Sequence, residues 1–391
     1  MMNGSVDTQF KDSVVAIAER LIGFRSFPGT PNLDIVGWIT GYLRDRGVSS
    51  ELIKSPDGWS ANLLACIGPQ VEGGVVLSGH TDVVVVDGQA WSSDPFTVRL
   101  SDGRLFGRGS ADMKGFLAVC LAKVPSMMKA GLSRPIYLAF SYDEEIGCQG
   151  VPYLIERMKV LPAISSVIVG EPSEMDLVTA HKGAVGGSIC LHGVDAHSST
   201  PHLGVSAIRS ASDLVRGLTL LEDELKSSAK ASSAFVPGYS TINVSRISGG
   251  TADNIIPGRC ELSWGLRLMP DDDAGRLITR IEDEVRRIET RMKCEDPRCI
   301  IDFTVRAVKP GLREQSGGPA LALAKLLSGK DEGIALPYLT EAGFFQEAGF
   351  SSIVCGPGSI NQAHKPDEYV EISQLMKCGQ FIQRLIDHLA S

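Results

Sequence analysis

The chain reads as an α/β protein: a mostly parallel-sheet domain interrupted by an inserted ferredoxin-like α+β domain. Three observations carry that reading. Short apolar runs alternate with amphipathic helical stretches from residue 61 to 170, the pattern of a largely parallel sheet. Residues 183–309 follow a β-α-β-β-α-β order instead, which belongs to a two-layer ferredoxin-like unit. Strand and helix patterns of the first kind then resume. The expected boundaries are 1–182 for the first part of the α/β domain, 183–309 for the insertion and 310–391 for the second part. A chain of 391 residues is long enough for more than one core.

The elements follow in order. Val14, Val15, Ile17, Ala18, Leu21 and Ile22 share one face of a helix over 11–24, broken by Phe27-Pro28-Gly29. A helix over 33–46 carries Ile35, Val36, Ile39 and Leu43 and stops at Gly47. Strands are expected at 50–54 and 61–67, then around Val75-Val76-Leu77. The stretch from Val83 to Asp112 has little periodicity beyond a hairpin turning at Asp102-Gly103, and so long an irregular loop is usually functional. A helix over 113–130, a strand over 135–142, a helix near 148–159 and a strand over 166–170 complete the alternation. In the insertion, strands are expected at 186–194, 239–247, 259–269 and 301–308, with helices at 204–226 and 271–293. Ser227–Ser233 reads as a surface loop. A helix at 319–328, the segment Gly333–Pro337, a short helix at 341–348, a strand at 352–355 and a helix at 370–389 return to the α/β domain.

Composition narrows the function. A formal net charge of −8 without a Lys/Arg cluster argues against a nucleic-acid partner. No segment approaches the apolar length of a membrane helix, and Met1–Asp7 lacks the basic and apolar regions of a secretory signal. Nine cysteines, an odd number without a CxxC pair, suggest buried thiols in a reducing cytoplasm. Cys148 is the one candidate nucleophile, but Glu144 and Glu145 beside it push a thiol pKa upwards, the wrong direction.

Chemistry-bearing groups recur at the ends of the expected strands. His80-Thr81-Asp82, Asp143-Glu144-Glu145 and Glu171 each follow an apolar run, Asp112 lies between a turn and a helix, and strand ends of an open α/β sheet converge on one crevice. His364 lies in a glycine- and proline-marked loop after a later strand. Taken singly, each has a structural alternative: a helix N-cap for Asp112, a solvated acidic turn for Glu144 and Glu145, a loop histidine for His364. Together they make an oxygen-rich site with imidazole corners, suited to Zn²⁺, Mn²⁺ or Co²⁺. Adjacent Glu144 and Glu145, if extended, point to opposite sides, so one can ligate while the other acts as base. Asp82 is placed to accept from the second ring nitrogen of His80.

Several motifs in the same order, Gly79-His80-Thr81-Asp82, Trp91–Phe96, Gly107–Gly115, Asp143–Gly147, Gly170–Ser173 and Gly356–Glu368, resemble the M20 family of co-catalytic metallohydrolases. The resemblance implies two divalent ions, Zn²⁺ first. It assigns His80 and Glu171 to one ion, Glu145 and His364 to the other, Asp112 to both, Glu144 as general base and Asp82 behind His80. It also implies a cis peptide at Asp112-Met113 and makes the insertion a lid that carries a homodimer interface. His197 is implied as the lid histidine meeting the oxyanion, and Asn254 and Arg267 as substrate contacts. Gly356 and Gly358, with Arg267, are candidates for the substrate α-carboxylate, and Thr340 and Glu341 for the rest of the substrate, Glu341 facing a side-chain amine. The implied activity is hydrolysis of a small N-acyl amino acid, N²-acetyl-L-ornithine foremost, in cytoplasmic arginine biosynthesis. Other N-acyl or dipeptide specificities, or an inactive binding protein of the same fold, are the alternatives.

Overall fold

A computed structural model of the chain describes residues 2–229 and 233–390. Part of the Ser227–Ser233 loop, residues 230–232, lies outside the described residues. The chain packs as two units, one of Met1–Ala180, Glu314–Ile334 and Thr340–Ser391, the other of His181–Arg313 and Ala335–Leu339.

The first unit is built on a sheet in the order Ser50–Lys54, Ala61–Ile67, Ile136–Ser141, Gly74–His80, Ile164–Pro172, Ser352–Gly356, Leu177–His181 and Gly333–Leu336. The strands Ile136–Ser141, Gly74–His80, Ile164–Pro172 and Ser352–Gly356 run parallel. Ser50–Lys54, Ala61–Ile67 and Leu177–His181 join antiparallel, the first two as a hairpin. Gly74–His80 and Ile136–Ser141 are buried at every residue, as strands covered on both faces must be. That is why they read as unbroken apolar runs and not as alternation. The helix Lys114–Lys129 is buried nearly all round because Met2–Ile22 and Ile372–Leu389 both pack on it. A small sheet pairs Tyr369–Glu371 with Arg104–Phe106 and brings the loop before Tyr369 against the loop after Phe106.

The second unit holds an antiparallel sheet in the order Thr241–Gly249, Arg259–Leu268, Gly183–His192 and Ile300–Val305, with helices Ala207–Ser227 and Ala274–Glu295. Its first strand therefore lies between its third and fourth, the ferredoxin-like arrangement. Gly183–His192 alternates strictly between buried and half-buried residues, so one face carries the core. Ser206 and Asp273 cap the two helices, accepting from the amides of Arg209 and Arg276.

The α/β class is as expected, with differences at the edges. The first helix begins at Met2 and not near residue 11, because its early turns carry no apolar periodicity. The hairpin strands shrink to Arg99–Ser101 and Arg104–Phe106. Leu177–His181, a buried five-residue strand, was not foreseen; it is too short to show a period.

Close backbone approach fixes where Glu171 emerges. A Cβ on Gly170 would fall 2.2 Å from the Phe116 ring, and one on Gly356 would fall 2.0 Å from the Gly170 carbonyl oxygen. Glycine alone lets these two strands and the helix beneath them meet. Gly170→Ala should therefore lower stability by about 1–3 kcal/mol, read as a lower urea midpoint at unchanged slope.

Candidate metal centre

His80 ends its strand fully buried. Its Nε2 lies 3.0 Å from Asp112 Oδ1 and 3.5 Å from Glu171 Oε1. Its Nδ1 faces the Asp82 carbonyl oxygen at 2.9 Å. In the neutral ring Nδ1 therefore carries the proton, and the Nε2 lone pair is directed at the two carboxylates. The Asp112 side chain does not cap the helix that follows; Met113 occupies the cap position. Asp112 instead offers Oδ1 to His80 and Oδ2 to His364 Nε2, 3.2 Å away. His364 Nε2 also lies 3.0 Å from Glu145 Oε2. Two groups result, His80–Asp112–Glu171 and Asp112–Glu145–His364, each with ligand atoms within 4.8 Å of one another and sharing Asp112. The Asp112-Met113 peptide is cis.

Two expectations about the neighbours need correction. Asp82 does not take its main bonds from His80. Its carboxylate is 3.6 Å from Nδ1 and accepts instead from the amides of Glu144 and Glu145, at 3.2 and 3.1 Å. Asp82 thus fastens the acidic turn to the end of the His80 strand. Glu144 and Glu145 are also not in extended chain. They open a turn in which the Glu144 carbonyl accepts from Gly147 and Cys148, at 2.7 and 2.9 Å, and left-handed Asp143 precedes them (φ 53°). The turn, not strand alternation, sends their side chains apart. Glu145 joins His364, while Glu144 is in neither ligand group and accepts from the Cys148 thiol at 3.3 Å.

Charge in the cluster is unbalanced. Burial pushes Glu145 up to about 7, helped by the Asp112 charge, and burial likewise pushes Glu171 up to about 7. Burial and then Glu171 lift Glu144 well above the carboxylate range. Hydrogen bonds to Asp112 and Glu145 raise His364 to about 10. Burial lowers His80, but the neighbouring carboxylates of Asp112, Asp82 and Glu171 outweigh that and leave it well above its usual value. Asp112, between two imidazoles, is held below its usual value despite burial. Glu145 Oε1 is buried and accepts no hydrogen bond from the described residues. The three ligand carboxylates and Glu144 together match the charge of two divalent ions. The nitrogen and oxygen donor set fits Zn²⁺, Co²⁺ or Mn²⁺, and the buried Glu145 Oε1 is an acceptor suited to a cation.

The remaining candidates divide. Glu341 is fully buried, raised by burial, and accepts from Ser78 Oγ at 3.1 Å and from Ser141 Oγ. Each oxygen accepts one serine hydroxyl, which fixes the carboxylate and leaves it further acceptor capacity beside the cluster. Thr340 is buried, with Oγ1 accepting from the Ala342 amide at 3.1 Å at the start of the helix Ala342–Glu347. The Gly356 amide donates to Ser173 Oγ at 3.1 Å and is not free for a carboxylate, while Gly358 serves a left-handed turn (φ 89°). His197, Asn254 and Arg267 lie in the second unit, all exposed. His197 Nδ1 is 2.7 Å from Ser199 Oγ, and the Asn254 carbonyl accepts from the Ser198 amide, so these two share one short ribbon. Cys148 is buried, and burial followed by Glu144 pushes its thiol well up, which removes it as a nucleophile.

One functional residue went unread in the sequence. Buried Glu368 accepts from the amides of Gly109, Ala111 and Asp112 at 3.0, 2.9 and 3.1 Å and pairs with buried Arg108 at 2.6 Å. It holds the loop that delivers Asp112. The available signal was a charged Arg108 set between Gly107 and Gly109, where a buried guanidinium needs an acid elsewhere in the chain.

Comparison with known proteins follows from this geometry. The pattern described as peptidase family M20/M25/M40 is matched across residues 76–388. The chain is 35% identical to an acetylornithine deacetylase of Shigella sonnei over 362 residues, 91% of each chain. Among solved structures, the aminopeptidase PepT of Bacillus cereus superposes with a TM-score of 0.76 at 18% identity, covering 97% of this chain and 99% of that one. The YXEP protein of Bacillus subtilis, described as a dinuclear metal binding peptidase, superposes with a TM-score of 0.66 at 14% identity, covering 97% and 98%. At such identities the structures speak for the fold alone.

The raised pKa values set a pH dependence. Glu145 and Glu171 keep protons in the folded, ion-free protein that the unfolded chain releases. Their stabilisation is complete below the ordinary carboxylate range and is lost as pH rises through about 7. That of His364 is complete below the ordinary imidazole value and is lost as pH rises through about 10. Chelated protein should therefore melt lower at about pH 8 than at about pH 6, and saturating Zn²⁺, which needs the deprotonated groups, should raise the melting temperature more at the higher pH. Differential scanning calorimetry with and without chelator checks both signs.

Proposed function

The chain belongs to peptidase family M20/M25/M40, and from that premise we propose that it hydrolyses a short N-acyl amino acid, N²-acetyl-L-ornithine foremost, to acetate and the free amino acid. The observation that carries the reaction class is Asp112 shared between two imidazole–carboxylate groups, with half-buried Glu144 close enough to feel the charges of Glu171, His80 and Glu145 and belonging to neither group. The substrate choice rests on the acetylornithine deacetylase to which most of the chain is similar. A role in arginine biosynthesis, in the cytoplasm, belongs to the same reading.

In this reading His80, Asp112 and Glu171 would hold one ion and Asp112, Glu145 and His364 the other. Two divalent ions, when bound, supply Lewis acidity that polarises the amide carbonyl and makes water acidic near neutral pH. The work of this chain's residues is in proton transfer and orientation. Glu144 takes a proton from the attacking water as its oxygen joins the acyl carbon. It returns that proton to the amide nitrogen as the C–N bond breaks, so the amine leaves neutral and the carboxylate is regenerated. Burial suits Glu144 to this, since it brings a carboxylate's proton affinity closer to neutral pH. Asp82 fixes the turn from which Glu144 projects. His197 is assigned to the developing oxyanion and Asn254 to the substrate, with the Arg267 guanidinium on the α-carboxylate, which it is shaped to grip in two places. The second unit is assigned as a lid that also pairs two copies of the chain.

Two measurements test the reading. Glu144→Gln keeps shape and removes the base, so it should retain both zinc ions while turnover falls by about 10²–10⁴-fold. Near-normal turnover would remove Glu144 as the base. With wild-type zinc protein, N-acetyl-L-ornithine should turn over faster than N-acetylcitrulline or N-succinyl-diaminopimelate; a reversed order would move the substrate and leave the reaction class standing.

A further inference from the structure

The five ligand candidates are not held alike. His80 and Glu171 belong to strands, and Asp112 and Glu145 are each fastened through backbone amides to a buried carboxylate. His364 sits on a loop, at a left-handed position (φ 63°), with its side chain 54% exposed. What fixes it comes from the irregular Val83–Asp112 stretch. Gln89 Nε2 donates to the His364 carbonyl oxygen at 2.9 Å. The orientation of that amide is set by its other end, because Gln89 Oε1 accepts from Trp91 Nε1 at 3.0 Å and from Arg108 Nη2 at 2.6 Å. With the oxygen so engaged, the amide nitrogen can only face His364. Arg108 Nη1 in turn binds Glu368 Oε2 at 2.6 Å, and Glu368 accepts from the Asp112 amide. A continuous run of hydrogen bonds thus joins the backbone of Asp112 to that of His364.

We propose that Gln89 is a positioning residue for His364, and that through it the Val83–Asp112 loop sets the affinity of the ion held by Asp112, Glu145 and His364 without setting that of the other. The proposal rests on the two-ion reading above. The group His80–Asp112–Glu171 has its imidazole on a strand and makes no use of Gln89. The loop group depends on it, since a histidine on exposed chain must otherwise give up conformational freedom to reach Glu145 and Asp112. Glu368 acts on Asp112, which both groups share, and Arg108 serves both sides, binding Glu368 and also donating to the Lys365 carbonyl at 3.4 Å, so Gln89, which touches His364 and not Asp112, is the point at which the two ions separate.

The test uses Gln89→Glu, which keeps an oxygen towards Arg108 and Trp91 and puts an acceptor against the His364 carbonyl. Whole protein, stripped of metal, is titrated with Zn²⁺ against a competing chelator and with Co²⁺ followed by its visible spectrum. Expected is one zinc equivalent at parental affinity and one weakened by about tenfold, the lower end of what outer partners of a ligand contribute. In a His364→Ala background the same substitution should change nothing further. Gln89→Ala, which removes the donor without adding charge, should weaken the same equivalent. The proposal falls if both affinities stay within about twofold of the parent, or if both weaken alike, which would place the effect on Asp112. A parent that binds no ion at all would instead remove the two-ion reading beneath it.

Discussion

The constraint on which this molecule turns is the gathering of like charges out of water. Asp112, Glu144, Glu145 and Glu171 meet in one desolvated place, and Glu341 lies buried close enough to raise Glu144 and Glu171. Repulsion between such groups is large where water cannot screen it. Left to local preference, the side chains would turn to solvent. The parallel strands prevent this by ending together, and close glycine contacts at Gly170 and Gly356 bring two of those ends within backbone distance. Two further carboxylates, Asp82 and Glu368, then spend their charge on backbone amides. They hold the acidic turn and the Asp112 loop in place while adding no ligand of their own.

Much of this was legible in the sequence, and the unread parts share a cause. His80, Asp112, Glu144, Glu145, Glu171 and His364 were legible as candidates because most follow an apolar run or lie in a marked loop, and because strand ends converge. Which of them would ligate and which would act as base came from the resemblance to the M20 family, not from local pattern. Asp82 was read as the partner of His80 because two residues apart on a strand means the same side. The chain turns after His80, and its carboxylate reaches the next strand's loop instead. The division of labour between Glu144 and Glu145 was legible, but by the wrong geometry; a turn set by left-handed Asp143 does what alternation was thought to do. The bonds of Glu341 to Ser78 and Ser141, and of Gly356 to Ser173, join residues far apart along the chain, which sequence cannot show. Glu368 was missed for the same reason, since its partners lie about 260 positions away along the chain.

Burial also decides which groups react. Cys148 and Glu144 touch, and both are lifted well above their usual pKa by the same desolvation and the same neighbouring acids. The consequences are opposite. A thiol needs to lose its proton to be a nucleophile, so the shift silences it. A carboxylate that is to accept a proton from water and then pass it on gains from a proton affinity nearer neutrality. One environment therefore makes Cys148 a packing residue and suits Glu144 to the part of base proposed for it.

The cluster is consequently a place where folding and cation binding are one equilibrium. Protons can neutralise part of the charge, but each one occupies a ligand atom, as the raised values of Glu145, Glu171 and His364 imply. A cation replaces those protons and relieves the repulsion at the same time, so its binding energy offsets the cost of bringing the carboxylates together. The offset is unequal along the chain. His80, on its strand, is held by the core whether or not an ion is near. His364, on an exposed left-handed loop, is held by a few hydrogen bonds, of which the one from Gln89 reaches its own backbone. Of the two halves, the strand half is prepared by the fold and the loop half is completed by what it binds.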